Sequence, residues 1–133
     1  MMYEMQVFFE GKKRVVADLF GEVIATDQPL RAGGEGSAPA PFNLFLASIG
    51  TCAGIYVKGF CDSRGIPTDN IRILQGMDFD QRTGLMSKVR LDIKLPSDFP
   101  EKYKDAVIRA ADQCKVKLTM LYPPEFEVVA SES

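Results

Sequence analysis

Hydrophobic positions change their spacing along this chain, and the changes mark its elements. Residues 2–9 (MYEMQVFF) and 13–20 (KRVVADLF) are strand-like runs on either side of Glu10-Gly11-Lys12, which predicts a hairpin. Residues 22–26 (EVIAT) predict a short third strand. Residues 27–41 (DQPLRAGGEGSAPAP) are rich in Gly and Pro and read as loop. Then Phe42, Phe45, Leu46, Ile49, Ala53, Tyr56 and Phe60 recur at steps of three and four. They fall within about 100° of one another on a helical wheel, the mark of an amphipathic helix.

That helix is expected over residues 42–63. Pro41 suits its first turn, where a missing N–H costs little, and Gly65 followed by Pro67 suits its end. Gly50, Gly54 and Gly59 lie inside it, each weakening it by roughly 1 kcal/mol relative to alanine. Close approach of another backbone would offset those costs, and a crossing helix, from a second subunit for example, would supply it.

Beyond the helix the alternation of a sheet returns. Residues 71–79 (IRILQGMDF) and 87–95 (SKVRLDIKL) predict two strands joined by the turn Asp80-Gln81-Arg82-Thr83-Gly84. Lys88, Arg90, Asp92 and Lys94 would face solvent while Val89, Leu91, Ile93 and Leu95 face the interior. A second helix follows, with Asp98 as N-cap, Glu101 three residues on and Pro100 in the first turn. Its expected apolar stripe is Tyr103, Val107, Ala110 and Cys114. Residues 125–130 (EFEVVA) predict a last strand. The order β-β-α-β-β-α-β, with hairpins, gives one α+β domain over residues 1–133.

Composition narrows the function. The 133 residues suit one domain able to bury a sizeable core. Sixteen basic and eighteen acidic residues leave a net charge of −2, which lacks the basic footprint of a nucleic-acid binder. The N-terminal residues MMYEMQVFFEGKKRVV do not resemble a signal peptide. The nearly uncharged segment 36–57 contains prolines, glycines, Ser48 and Thr51 and reads as a buried or half-buried helix rather than a membrane span. The expected location is the cytoplasm, where thiols are usually reduced.

The chain has no histidine, which excludes Ser-His and Cys-His pairs and histidine metal ligands. Cys52, Cys61 and Cys114 have no CxxC spacing, so no zinc site is expected, nor any other cofactor. Their odd number argues against a structural disulfide framework. Cys52 and Cys61 lie half a turn out of phase and about 13 Å apart along one helix, beyond disulfide reach. Cys52 and Cys114 lie on different predicted helices, so their sulfurs are free to meet, or each is simply a small apolar core residue. A reactive thiolate needs a nearby cation, because Cys52 sits too deep in its own helix for the dipole to help. Arg14 on the hairpin and Arg31 in the glycine loop are candidates; solvated surface charge is the plainer reading of each. Gly34-x-Gly36 before a helix hints at a phosphate loop, but no parallel strand precedes it and no Walker lysine follows.

Two stretches resemble a known family. Gly33–Cys52 (GGEGSAPAPFNLFLASIGTC) is similar to the glycine loop, proline and small-residue helix of the OsmC/Ohr family, and Ala111–Met120 (ADQCKVKLTM) to its second cysteine motif. The resemblance implies an intertwined homodimer whose curved antiparallel sheets wrap two long central helices. It implies reduction of organic hydroperoxides, with Cys52 attacking, Cys114 resolving the sulfenic acid as a disulfide, and an external dithiol restoring both. Cys61 has no role in that scheme. The family's peroxidases place a glutamate ten positions before the first cysteine to hold an arginine; here that position is Phe42. Glu35 is the loop's substitute and Arg14 the nearest match to the arginine. The second motif usually reads Cys-Pro-Val, here Cys114-Lys115-Val116, and the lysine is expected to favour thiolate at Cys114. Two other readings stay open: a dimeric binding protein for a small apolar molecule, and a redox sensor without turnover. None of the readings calls for nucleic acid or a membrane as partner.

Overall fold

The structure, a computed structural model, describes residues 2–132. It is α+β, with small antiparallel sheets and helices. The chain gathers into two compact units, one up to Ala47 and one from Ser48 onward.

In the first unit, β1 (Gln6–Glu10), β2 (Arg14–Leu19) and β3 (Glu22–Thr26) form an antiparallel sheet in the order β1-β2-β3. The hairpin turn centres on Gly11, whose φ of 53° is left-handed and suits a residue without a side chain. Val16 of the middle strand is buried.

The loop after β3 is organised by one carboxylate. Asp27 is 1% exposed and accepts from Gln28 N–H (2.7 Å), Glu35 N–H (3.3 Å), Ser37 N–H (3.0 Å) and the Ser37 hydroxyl (2.6 Å). The Ser37 hydroxyl bond, and after it the backbone donors, hold the Asp27 carboxyl at a pKa of about 2. Gly34 lies hard against this turn. A Cβ there would stand 2.0 Å from the Gln28 carbonyl oxygen, so only glycine fits. Loop amides that a phosphate would need are therefore taken up by the protein's own anion.

The helix α1 (Pro41–Asp62) matches the expected span to within a residue at each end. It is long and apolar enough to cross a membrane by length and composition, with 22% of its most apolar stretch buried. Ile49, Ala53, Val57 and Cys61 are its buried residues. From Ala53 onward this stripe packs with Phe99, Val107, Ala111 and Cys114 in a core within the second unit.

The antiparallel pair β4 (Arg72–Phe79) and β5 (Met86–Lys94) covers that core with Ile73, Leu91 and Ile93. A bulge at Ser87 shifts the register between Asp78 and Phe79. Two of the α1 glycines have same-chain neighbours on β4. A Cβ on Gly50 would meet the Gln75 side chain at 2.5 Å and one on Gly54 would touch Ile73 at 3.7 Å, while nothing described lies within 4 Å of a Cβ on Gly59.

The C-terminal third departs most from expectation. Asp98 does not cap a helix. Pro100 precedes a 3-10 turn (Glu101–Tyr103) that leads into α2 (Lys104–Ala111). The chain then breaks and restarts as α3 (Lys115–Leu121). Cys114 is not on the inner face of α2 but is the N-cap of α3, with a non-helical ψ of 123°. Residues 125–130 are not a strand. Nothing pairs with them among the described residues, and Phe126, Val128 and Val129 are exposed. Alternation alone does not make a strand when no edge is there to receive it.

Candidate active site

The break between α2 and α3 sets the position of Cys114. Its sulfur accepts from the Lys117 N–H at 3.4 Å, as an N-cap side chain does, and it is 1% exposed. Its S–H donates to the Ile49 carbonyl, with sulfur and oxygen 3.8 Å apart, and Cys52, one turn further along α1, packs against the same core cluster. Both cysteines are free thiols, and Cys52 is the more accessible of the two. The first and second cysteines of the sequence pattern are thus neighbours in one core cluster, each acting on the other's acidity.

Their acidities move in opposite directions. The Val116 N–H, at the start of α3, does most to lower the Cys52 pKa below its ordinary value. Burial works against it, while the Cys114 thiol, the Lys115 N–H and the Lys115 ammonium work with it. Cys114 is pushed up, first by burial and further by facing the Cys52 sulfur. Lys115 therefore favours thiolate at Cys52 rather than at Cys114, its neighbour in sequence. Three consecutive residues of the second motif, Cys114, Lys115 and Val116, converge on one sulfur. Sequence reasoning missed Val116 altogether, and only the helix restart after Cys114 exposes its N–H for the purpose.

The other predicted site residues belong to the first unit. Arg14 donates to the Ser37 hydroxyl at 2.7 Å and pairs with Glu10 at 3.4 Å. Ser37 in turn donates to Asp27, so Arg14 is tied through a neutral hydroxyl to the buried carboxylate. Arg31 is exposed in the 3-10 turn Leu30–Ala32. Glu35 is exposed and contributes its backbone N–H to Asp27. Phe42 stacks on Phe45, with ring centroids 5.8 Å apart. Cys61 is fully buried in the core, and burial, followed by Asp62, pushes its thiol pKa up, which suits an inert packing role.

A cavity of about 270 Å³ lies beside Cys114. The inward face of β5 (Val89, Leu91, Ile93), Ile49 of α1 and Met120 of α3 give it apolar walls. Asp112 and Lys117 add the polar groups, and the Lys117 ammonium donates to the Asp112 carboxylate across the α2–α3 break.

The OsmC-like protein family profile matches residues 34–129. No curated protein matches the sequence. Among solved structures, an osmotic stress induced and detoxification response protein of Psychrobacter arcticus aligns with a TM-score of 0.70 at 20% identity, over 90% of this chain and 88% of that one. The organic hydroperoxide resistance protein OsmC of Legionella pneumophila aligns with a TM-score of 0.52 at 16% identity, over 90% of each chain. The organic hydroperoxide resistance protein OhrB of Bacillus subtilis aligns with a TM-score of 0.52 at 20% identity, over 88% of this chain and 90% of that one. At these identities the likeness is one of fold.

Proposed function

The chain belongs to the OsmC-like protein family, and on that footing we propose that it is a thiol peroxidase that reduces organic hydroperoxides through Cys52 and Cys114. The observation behind the proposal is the pairing of two free thiols whose acidities are driven apart. A nucleophile should be thiolate, and a resolving thiol should stay protonated until it is needed.

In this reading the Cys52 thiolate attacks the distal peroxide oxygen. The O–O bond breaks, the alkoxide leaves with the electron pair and takes up a proton to become the alcohol, and Cys52 becomes a sulfenic acid. Cys52 then no longer carries the charge that helped hold Cys114 protonated. Cys114 loses its proton, attacks the Cys52 sulfur and forms the disulfide, and hydroxide leaves as water. An external dithiol reduces the disulfide by exchange, becoming a disulfide itself. Lys115 and Val116 stabilise the starting thiolate. Arg14, held by Ser37 and Glu10, is the proposed second cation, with Arg31 and Glu35 as further polar residues of the same loop region. The working form is an intertwined cytoplasmic homodimer whose protomers are single domains. The unpaired segment 125–130 and the exposed Phe8, Phe9, Ile55 and Leu74 favour a second chain as cover.

The test mixes reduced protein with cumene hydroperoxide and follows thiol loss. Wild type should lose two thiols quickly and recover them with a dithiol. Cys52→Ser should lose none at that rate, and Cys114→Ser should overoxidise at residue 52. Equal, slow loss in all three defeats the peroxidase reading. Fast oxidation without dithiol recovery would assign a sensor instead. The cavity beside Cys114, with Phe42 in the usual glutamate position, favours a second reading: a binding protein for a small apolar molecule.

A further inference from the structure

Two charges at the helix break each stand at the wrong end of their own helix. Asp112 closes α2 at its negative pole, and Lys117 lies in the first turn of α3 at its positive pole. Helix formation favours neither residue where it stands. Across the break they complement each other, and the Lys117 ammonium donates to the Asp112 carboxylate. Lys117 makes a second bond, from its backbone N–H to the Cys114 sulfur at 3.4 Å. In a capping box the side chain of this third residue would turn back to the N-cap's own N–H. Here the Cys114 N–H goes to the Ala111 carbonyl at 3.3 Å, and the Lys117 side chain, a donor only, reaches past it to Asp112.

Residues 112–117 are thereby closed into a ring that holds Cys114, whose thiol donates to the Ile49 carbonyl of α1. The backbone bonds across the break, from Gln113 N–H to Ala110 and from Cys114 N–H to Ala111, are long at 3.2 and 3.3 Å. We propose that Asp112 and Lys117 are positioning residues, whose ion pair keeps the Lys117 N–H on the Cys114 sulfur and so holds that thiol in the core cluster where Cys52 packs. The role deepens the peroxidase reading, on which it rests for what Cys114 resolves. Both side chains are partly solvated, so the pair biases the position of Cys114 by a few-fold and does not decide whether α3 forms.

Alkylation by iodoacetamide, read peptide by peptide, tests the role without peroxide. Cys61, fully buried in the same core, is the internal control for general loosening. In reduced, full-length Asp112→Asn and Lys117→Gln, Cys114 should react about two- to fivefold faster than in wild type, with Cys61 unchanged. Loss of a nearby cation would by itself slow a thiol and loss of a nearby anion would speed it, so only release of Cys114 speeds both. The double variant should gain no more than either single one, and Lys117→Arg should stay close to wild type. Raising salt to about 1 M should speed Cys114 in wild type and not in the variants. Should the variants fail to fold, the salt series on wild type carries the test. Unchanged Cys114 reactivity, a parallel rise at Cys61, or additive effects in the double variant would overturn the positioning role. With cumene hydroperoxide, both single variants should leave more Cys52 overoxidised than wild type does. Peroxide-driven thiol loss in wild type, with Cys114 alkylation indifferent to the substitutions, overturns the positioning role and leaves the peroxidase reading intact. Faster Cys114 alkylation in the variants, without peroxide-driven thiol loss in wild type, does the reverse.

Discussion

Cys114 stands at the N-cap of α3 in the core cluster against which Cys52 packs, and the start of the same helix, at Val116 and Lys115, lowers the Cys52 pKa. One local feature, a helix restarting after a break, thus both places the second thiol and acidifies the first.

Cys52 should be the most acidic of the three thiols. Its pKa is lowered, so thiolate is present below the pH at which an ordinary cysteine ionises, whereas Cys61 and Cys114 are raised and stay protonated there. Alkylation by iodoacetamide, followed peptide by peptide against pH, should show Cys52 reacting with the lowest midpoint. A midpoint for Cys52 at or above those of the other two would contradict the geometry.

Lys115→Pro removes both an N–H donor and a positive charge from the Cys52 environment, while proline remains compatible with the first position of α3. The Cys52 midpoint should rise. Lys115→Gln keeps the N–H and should give a smaller rise, and Lys115→Arg almost none. The same alkylation profile reads all three. An equal response to proline and glutamine would mean that the amide contributes nothing.

Asp27 ties stability to acid. Its folded pKa of about 2 lies below the ordinary value of 3.8. Its contribution is fully present above the unfolded pKa and is lost as pH falls from about 4 towards about 2. Urea midpoints should fall through that window in wild type and fall less in Asp27→Asn, which should already be weaker at neutral pH. Gly34→Ala should loosen the same loop at every pH, since its Cβ meets backbone that cannot yield.

Two substitutions gauge the core of the second unit. Val107 is fully buried, and Val107→Ala should cost about 2 kcal/mol in urea denaturation. Gly54→Ala should stabilise by about 0.5–1 kcal/mol, because its Cβ makes an ordinary contact with Ile73 and removes a helix-weakening residue. Destabilisation by Gly54→Ala would instead place a second chain against that face.

For the proposed homodimer, sedimentation should give twice the chain mass of 14.7 kDa. Deleting residues 125–133 should shift the protein towards monomer if that segment pairs with a partner's sheet. Unchanged mass would remove the tail from the interface.

Much of this architecture could be read from side-chain spacing. The helix α1 and the alternation along β5 follow from a period that burial enforces, whereas the hairpin, whose β1 residues are all exposed, follows from the turn at Gly11. The segment 125–130 has the right alternation, but a strand depends on a partner edge that a segment's own residues do not encode. The break at Cys114 carries no glycine or proline, and cysteine is not among the favoured N-caps, so nothing at that point announces a stop. The approach of Cys52 and Cys114 was legible as a possibility of helix packing. The role of Lys115 was not. Adjacency in sequence suggested that it serves Cys114, whereas its position at the helix restart turns it to the sulfur across the gap.

The discontinuity at residues 112–114 also decides how much of the molecule must move when a bond forms between the sulfurs. A cysteine in mid-helix would drag intact turns with it. One poised at a joint needs only a swing of the residues around that joint, tethered on the far side by the Asp112–Lys117 pair. Under the proposed peroxidase reading, oxidation and reduction amount to a small hinge movement at one end of α3, and α1 need not be disturbed by repeated cycles.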